Sequence, residues 1–360
     1  MALETVGNTT APAGAVVAVT GAAGAIGTRL VELLLTANGP ATVRAIDRVE
    51  ISERPGLKVV QLDLATDELD SAFMGVSTVV HLATASTPRV DEMANAQGEL
   101  EILDRVLAAS AAAEVTHLVV LSTAMVYGAW PGNPVPLTES APIRPNPDFP
   151  WAATRARVER RCQEWGREHG VSVAVLRPTA VVADGLLGDL ARALDSARQG
   201  IAADGDPPVQ YLHIDDLVSA VATVVGAAFS GVANIAPDGW IPPGALAELE
   251  GPRQRLRAPM WVVGQLAEVR SRYGLAPISA GVLPYTASSW VVANDQIRSL
   301  GWDASYSNEE AWVVSHEPHA LERLPARKRQ ELALAAMVVA GLGAGSALIA
   351  AIRRWSRRLT

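Results

Sequence analysis

A short apolar run, Val16-Val17-Ala18-Val19-Thr20, passes directly into Gly21-Ala22-Ala23-Gly24-Ala25-Ile26-Gly27. Thr28-Arg29-Leu30-Val31-Glu32-Leu33-Leu34-Leu35 then follows with helical periodicity as far as Asn38-Gly39. The β-branched run predicts a buried strand and the periodic run a helix, so the glycines must turn the chain from one into the other. Glycine spacing of this kind permits a tight turn and close approach of backbone to a ligand. The helix that opens there points unpaired N–H groups at the turn, a setting that favours a pyrophosphate. A lone glycine pattern carries little weight, but here the context is right on both sides.

The next strand, Thr42–Ile46, ends on Asp47, which lies 20 residues beyond Gly27. A carboxylate there can accept hydrogen bonds from both adenosine ribose hydroxyls and repels a 2′-phosphate, so NAD is expected over NADP, with Arg48 beside it weakening that preference a little. Val59–Asp63 reads as a third strand, with Asp63 placed to meet the adenine amino group. Thr78–Thr84 reads as a fourth strand and Leu118–Leu121 as a fifth. His81 is expected to be a core histidine at a strand end. Helical runs separate these strands, and the alternation predicts an α/β fold with a doubly wound parallel sheet of the Rossmann type.

Composition removes other classes. A net charge of −8 leaves no broad basic surface for nucleic acid. Cys162 is the single cysteine, so an intramolecular disulfide is impossible, and packing is its expected role. The close pair His316 and His319 lacks further ligands, so no metal site is expected. A Gly-x-Ser-x-Gly elbow is absent.

With Ser122-Thr123-Ala124-Met125-Val126-Tyr127-Gly128 added, the chain resembles an extended short-chain dehydrogenase/reductase. The family is that of the NAD-dependent epimerases and dehydratases, which includes UDP-glucose 4-epimerase. Pro136-Leu137-Thr138-Glu139, Leu176-Arg177-Pro178, Leu212-His213-Ile214-Asp215-Asp216 and Leu300-Gly301-Trp302 match in order, so the resemblance spans roughly 15–315. It implies NAD as cofactor and a nucleotide-sugar-like ligand. It further implies a cofactor site made by Thr20, Gly21, Gly24, Ala25, Ile26, Gly27, Asp47, Arg48, Asp63, Leu64, Leu82, Ala83, Thr84, Arg155 and Pro178.

The same resemblance implies a catalytic hydroxyl at Thr123 and a Tyr-x-x-x-Lys pair opening the next helix. In such a pair the phenol moves the substrate proton while the lysine lowers its pKa. Trp151 stands at the tyrosine place and Arg155 at the lysine place. An indole N–H donates but cannot accept or usefully ionise. Nor does the pair stand elsewhere: Tyr127, Tyr211, Tyr273, Tyr285 and Tyr306 are followed four residues on by Pro131, Asp215, Pro277, Ser289 and Glu310. The leading expectation is an NAD-binding protein with an impaired acid-base site, a cofactor or nucleotide-sugar sensor or scaffold. Its rival is a working epimerase or oxidoreductase that uses Thr123, a carboxylate such as Asp148, or water.

The expected organisation is a tail at 1–13, a Rossmann domain at 14–183 and a smaller α/β substrate lobe at 184–315 with returning Rossmann segments. Within that lobe, His213, Asp215 and Asp216 are expected to brace the junction, and Gly231–Ala236 to form a strand. A linker at 316–331 precedes an uncharged hydrophobic helix at 332–352 and a basic tail at 353–360. As a helix, 332–352 would extend about 31 Å, enough for a bilayer core. Gly341 and Gly345 give it a GxxxG spacing suited to close helix pairing. Two readings stay open: a helix in or on the cytoplasmic membrane touching lipid, and a packed or homo-oligomerising helix. In both, the nucleotide domain stays in the cytoplasm, where NAD is.

Overall fold

The computed structural model describes residues 15–36, 42–84, 96–198, 201–203, 205–251, 256–272 and 280–316. Strand and helix alternate as the apolar pattern requires. The first half runs β1 (Val16–Thr20), α1 (Ala25–Thr36), β2 (Thr42–Asp47), β3 (Leu57–Gln61), α2 (Asp70–Phe73), β4 (Thr78–His81), α3 (Ala96–Ala112) and β5 (His117–Leu121). It continues through α4 (Pro150–His169) and β6 (Ser172–Pro178). Then come β7 (Ala180–Ala183), β8 (Leu186–Leu187), α5 (Asp189–Arg198), β9 (Ile201–Ala203), β10 (Tyr211–His213), α6 (Ile214–Gly226), β11 (Gly231–Ile235) and β12 (Leu256–Ala258).

The main sheet has the order β11-β6-β5-β4-β1-β2-β3, and every pairing within it is parallel. Parallel strands need crossover helices on both faces, which explains why their sequences are continuous apolar runs rather than alternating ones. Val17, Val19, Leu30, Val43 and Leu217 are buried on one face, and Ala18, Ile46, Val79, Leu103 and Leu118 on the other. Strand order reverses at β1, which lies between β4 and β2. In open α/β sheets the crevice at such a reversal, outside the carboxyl ends of the strands, is where ligands sit.

Two helices carry the far wall of that crevice. α4 starts with Pro150 in its first turn and stops at Gly170, whose φ of +69° is left-handed, as N-terminal proline and C-terminal glycine favour. α3 buries Glu99, Leu103, Val106, Leu107 and Ser110 along one stripe. A carboxylate therefore occupies a core position of an amphipathic helix.

A smaller sheet, β10-β7-β8, sits beyond β6, and β12 pairs with β9. Through Ser315 the described residues form one compact unit. One element differs from the sequence expectation: β11 does not join the smaller sheet but pairs in parallel with β6 at the edge of the main one. Val232-Ala233-Asn234-Ile235 reads as a half-buried strand, and that pattern does not say which sheet receives it. The third strand also runs Leu57–Gln61 and ends before Asp63.

His213 caps α6 by accepting the Asp215 N–H, and the Asp216 carboxylate accepts the N–H groups of Ser305 and Tyr306 at 2.8 and 3.0 Å. These residues brace the junction, as expected. Among the described residues no helix is long and apolar enough to cross a membrane. The tail at 1–13, the hydrophobic segment 332–352 and the basic tail lie outside the described residues, as does all of the linker except His316.

Candidate functional site

The turn between β1 and α1 is set by what its glycines leave out. Gly21 has φ +72°, and a Cβ there would stand 2.7 Å from the Ala83 nitrogen. A Cβ on Gly27 would lie 2.3 Å from the Gly21 oxygen, so α1 reaches this close to the turn only because the atom is missing. The Gly24 N–H closes the turn on the Gly21 carbonyl at 3.1 Å. Asp47, at the end of β2, is locked against the same turn. One carboxylate oxygen accepts the Ala23 N–H at 2.9 Å and the other accepts the Val49 N–H at 3.0 Å. Two backbone donors leave a carboxylate with further acceptor capacity for ribose hydroxyls. A glycine-made cradle beside a fixed carboxylate fits the adenosine diphosphate half of NAD.

A cavity of about 450 Å³ opens from this turn, and its wall includes Gly21, Gly24, Ala25, Ile26, Gly27, Leu82, Ala83, Thr84 and Pro178. Thr20 lies just beneath, with its hydroxyl 2.8 Å from the His81 Nδ1. Burial, reinforced by the nearby Arg155 charge, pushes the His81 pKa down to about 4. His81 is therefore neutral near pH 7, in line with its expected core role. Asp47, Arg48, Asp63 and Leu64 lie at the ends of β2 and β3 and do not line the cavity. The Asp63 carboxylate accepts the Ala65 N–H at 2.9 Å.

At the other end of the cavity the wall is formed by Ser122, Thr123, Glu99, Trp151 and Arg155. Thr123 is 2% exposed, and its hydroxyl oxygen accepts the Met125 N–H at 3.3 Å, capping the short 3-10 turn Ala124–Tyr127. Trp151 packs on Phe149 with ring centroids 5.7 Å apart, and its indole nitrogen is buried without a hydrogen-bond partner. The Arg155 guanidinium carbon lies 6.0 Å from the Trp151 ring centre. One terminal nitrogen of Arg155 pairs with the Glu99 carboxylate and donates to the Thr84 hydroxyl at 2.9 Å. Burial lowers the Arg155 pKa to about 10, so the group stays charged at neutral pH.

Behind this wall a second buried ion pair holds α4 to the sheet. Arg177 on β6 donates twice to Glu159, which also accepts the Ser122 hydroxyl. Arg177 further donates to the Tyr127 phenol at 2.6 Å, and the phenol donates to Asn234 on β11 at 2.8 Å. Tyr127 does not line the cavity, and burial raises its pKa despite Arg177. No tyrosine or lysine lines the cavity among the described residues. Asp148, a candidate proton carrier from sequence, is exposed and outside the cavity wall. Cys162 is fully buried, and burial pushes its thiol up to about 12, so it packs rather than reacts.

The structure thus brings Thr123, Trp151 and Arg155 to one wall and the glycine turn to the other. Glu99 was not legible as a site residue. Its only sequence signal is a carboxylate in register with Leu103 and Leu107 on the buried stripe of α3, which calls for a partner but does not name one.

The model of the family described as "NAD dependent epimerase/dehydratase family" matches residues 17–236. A protein of Sinorhizobium fredii, y4nG, is 25% identical over 270 residues, which cover 70% of this chain and 65% of that relative, so the match spans just under two thirds of its length. The dTDP-glucose 4,6-dehydratase of Streptomyces griseus is 27% identical over 231 residues, covering 57% of this chain and 68% of the relative. Among solved structures, the UDP-glucose 4-epimerase of Thermus thermophilus in complex with NAD superposes with a TM-score of 0.61. Its identity is 22%, over 83% of this chain and 97% of that one.

Proposed function

Because this chain belongs to the NAD-dependent epimerase/dehydratase family, whose cofactor is NAD, we propose that it binds NAD with its acid-base site impaired. In this reading it responds to the cofactor, or to a nucleotide-sugar-like ligand beside it, instead of turning substrate over. Bound NAD would supply a hydride acceptor. Gly21, Gly24 and Gly27 let the backbone approach its pyrophosphate, and Asp47 receives its adenosine ribose. The single observation that carries the reading is the wall around Thr123. There Trp151 offers no acceptor and Arg155 is already paired with Glu99.

Proton transfer needs a group that both gives and takes a proton near neutral pH. The Trp151 indole only donates, and its nitrogen is buried. His81 is held neutral and is bonded to Thr20. The Thr123 hydroxyl stands in the wall, but the bond it makes is to a backbone N–H, which cannot activate it. Loss of a positioned acid-base group slows such chemistry by about 10²–10⁴. The nucleotide-sugar class rests on the relatives named for dTDP-glucose and UDP-glucose.

Attachment to the cytoplasmic side of the membrane through 332–352 is part of the same proposal and rests on sequence alone. Fractionation of the full chain against one ending at Pro325 tests it: recovery of both in the soluble fraction, monodisperse without detergent, removes the membrane role. The cofactor reading is tested by mass spectrometry of the small molecules retained on purification, with calorimetry of added NAD. Retained or titratable NAD is expected, and well-folded protein that binds none overturns the reading.

A further inference from the structure

Among the described residues Glu99 is the one carboxylate buried in the cavity wall. α3 places it on the stripe shared by Leu103, Val106 and Leu107, and its side chain is 5% exposed. A carboxylate at such a position is costly unless paired and hydrogen-bonded. Both conditions are met inside the wall: the Thr84 hydroxyl stands 3.0 and 3.1 Å from its two oxygens, and Arg155 from α4 closes an ion pair on it. Arg155 is 9% exposed, so the pair is screened little by water. The guanidinium Nε is buried without a partner, and the Trp151 ring lies beside it. Arg155 is therefore committed to the protein, and the wall near Thr123 carries no net positive charge from it.

We propose that Glu99 is a specificity-determining residue that withholds Arg155 from ligands, so that the cofactor is held by its adenosine diphosphate half and its nicotinamide riboside half is left without a cationic anchor. This rests on the NAD reading above. The two halves of one dinucleotide then meet unlike environments. The glycine turn and Asp47 act on the first, and a charge-neutral wall of Thr84, Glu99 and Arg155 faces the second. An exchangeable, loosely held nicotinamide end suits a protein that registers the cofactor rather than one that cycles it.

The test is calorimetry with two probes, NAD and ADP, on the full-length protein, its Glu99→Gln variant and its Arg155→Met variant. Gln keeps the size and one acceptor of Glu99 while removing the charge that holds Arg155. The wild-type protein is expected to bind NAD and ADP within about threefold of each other, because the extra riboside gains no charge-assisted bond. Glu99→Gln should tighten NAD by about fivefold or more while leaving ADP unchanged, and Arg155→Met should move NAD by less than about threefold. Unchanged ADP binding serves as the folding control for both variants. If Arg155→Met weakens NAD about tenfold or more at constant ADP affinity, Arg155 already clamps the riboside and the proposal is wrong. Equal NAD affinity in Glu99→Gln and wild type also overturns it. A variant that loses ADP binding has lost its fold, and the other variant then decides. If the wild-type protein binds neither probe, the NAD reading itself fails and takes this inference with it.

Discussion

The two ends of the cavity follow opposite rules. At the β1–α1 turn, function depends on atoms that are absent: Gly21 and Gly27 have no Cβ, and the space is held open for a ligand. At the α4 end the wall is filled by large side chains, Trp151 and Arg155, and by a charge pair satisfied inside the protein. Binding and proton transfer are thus built on different elements, the first on the first two βα units and the second on β5, α3 and α4. One can decay while the other keeps its geometry. A dinucleotide cradle is evidence of binding and says little about turnover.

The largest expected effect tests whether the α4 end is a rigid wall. Arg177→Met leaves Glu159 buried and uncompensated, and breaking a buried pair in this way costs about 3–5 kcal/mol. Chemical denaturation should show that loss. A loss below about 1 kcal/mol would mean that α4 is not held through Glu159.

His81 lies between the two ends, bonded to Thr20 and near Arg155, and it makes stability depend on pH. Its folded pKa of about 4 is below the ordinary value near 6.5. The unfolded chain therefore binds more protons between those values. The contribution is full above pH 6.5 and is lost as pH falls toward 4, up to about 3 kcal/mol. Unfolding free energies at pH 7 and 4.5 should differ accordingly, and His81→Asn should flatten the difference. A wild-type profile flat over that range would place His81 in contact with water.

Most of the cradle was legible in advance because its rules are local. A strand, three glycines and an acidic strand end occur in sequence order, and sterics alone fix their meaning. The main sheet was legible for the same reason, since apolar runs alternate with periodic ones. What was hidden is what depends on partners far apart in the chain. β11 reads as a strand, but nothing in its residues chooses β6 as its neighbour. Glu99 reads as an oddly placed carboxylate, and only the packing of α3 on α4 reveals Arg155 opposite it. Trp151 and Arg155 were identified by their places in a familiar order, whereas the burial of the indole nitrogen needed coordinates.

Smaller effects sharpen the cradle end. Asp47→Asn removes the charge but keeps the shape, and NAD affinity should fall by about tenfold in calorimetry, with little change in melting temperature. NADP binding tighter than NAD in the wild-type protein would contradict the role given to Asp47. Asp63→Ala should change NAD affinity by no more than about threefold, because Asp63 is partly exposed and its carboxylate already accepts a bond from its own loop. A larger loss would put the adenine firmly against Asp63.

The contrast between the two ends is tested most directly by turnover of the NAD-loaded protein on UDP-glucose and dTDP-glucose, followed by nuclear magnetic resonance of the sugar. The wild-type protein should bind NAD and leave both sugars unchanged, and the double change Trp151→Tyr with Arg155→Lys should bring the first detectable conversion. Steady conversion by the wild-type protein, abolished by Thr123→Ala, would show that the α4 end still moves protons and would contradict an impaired site.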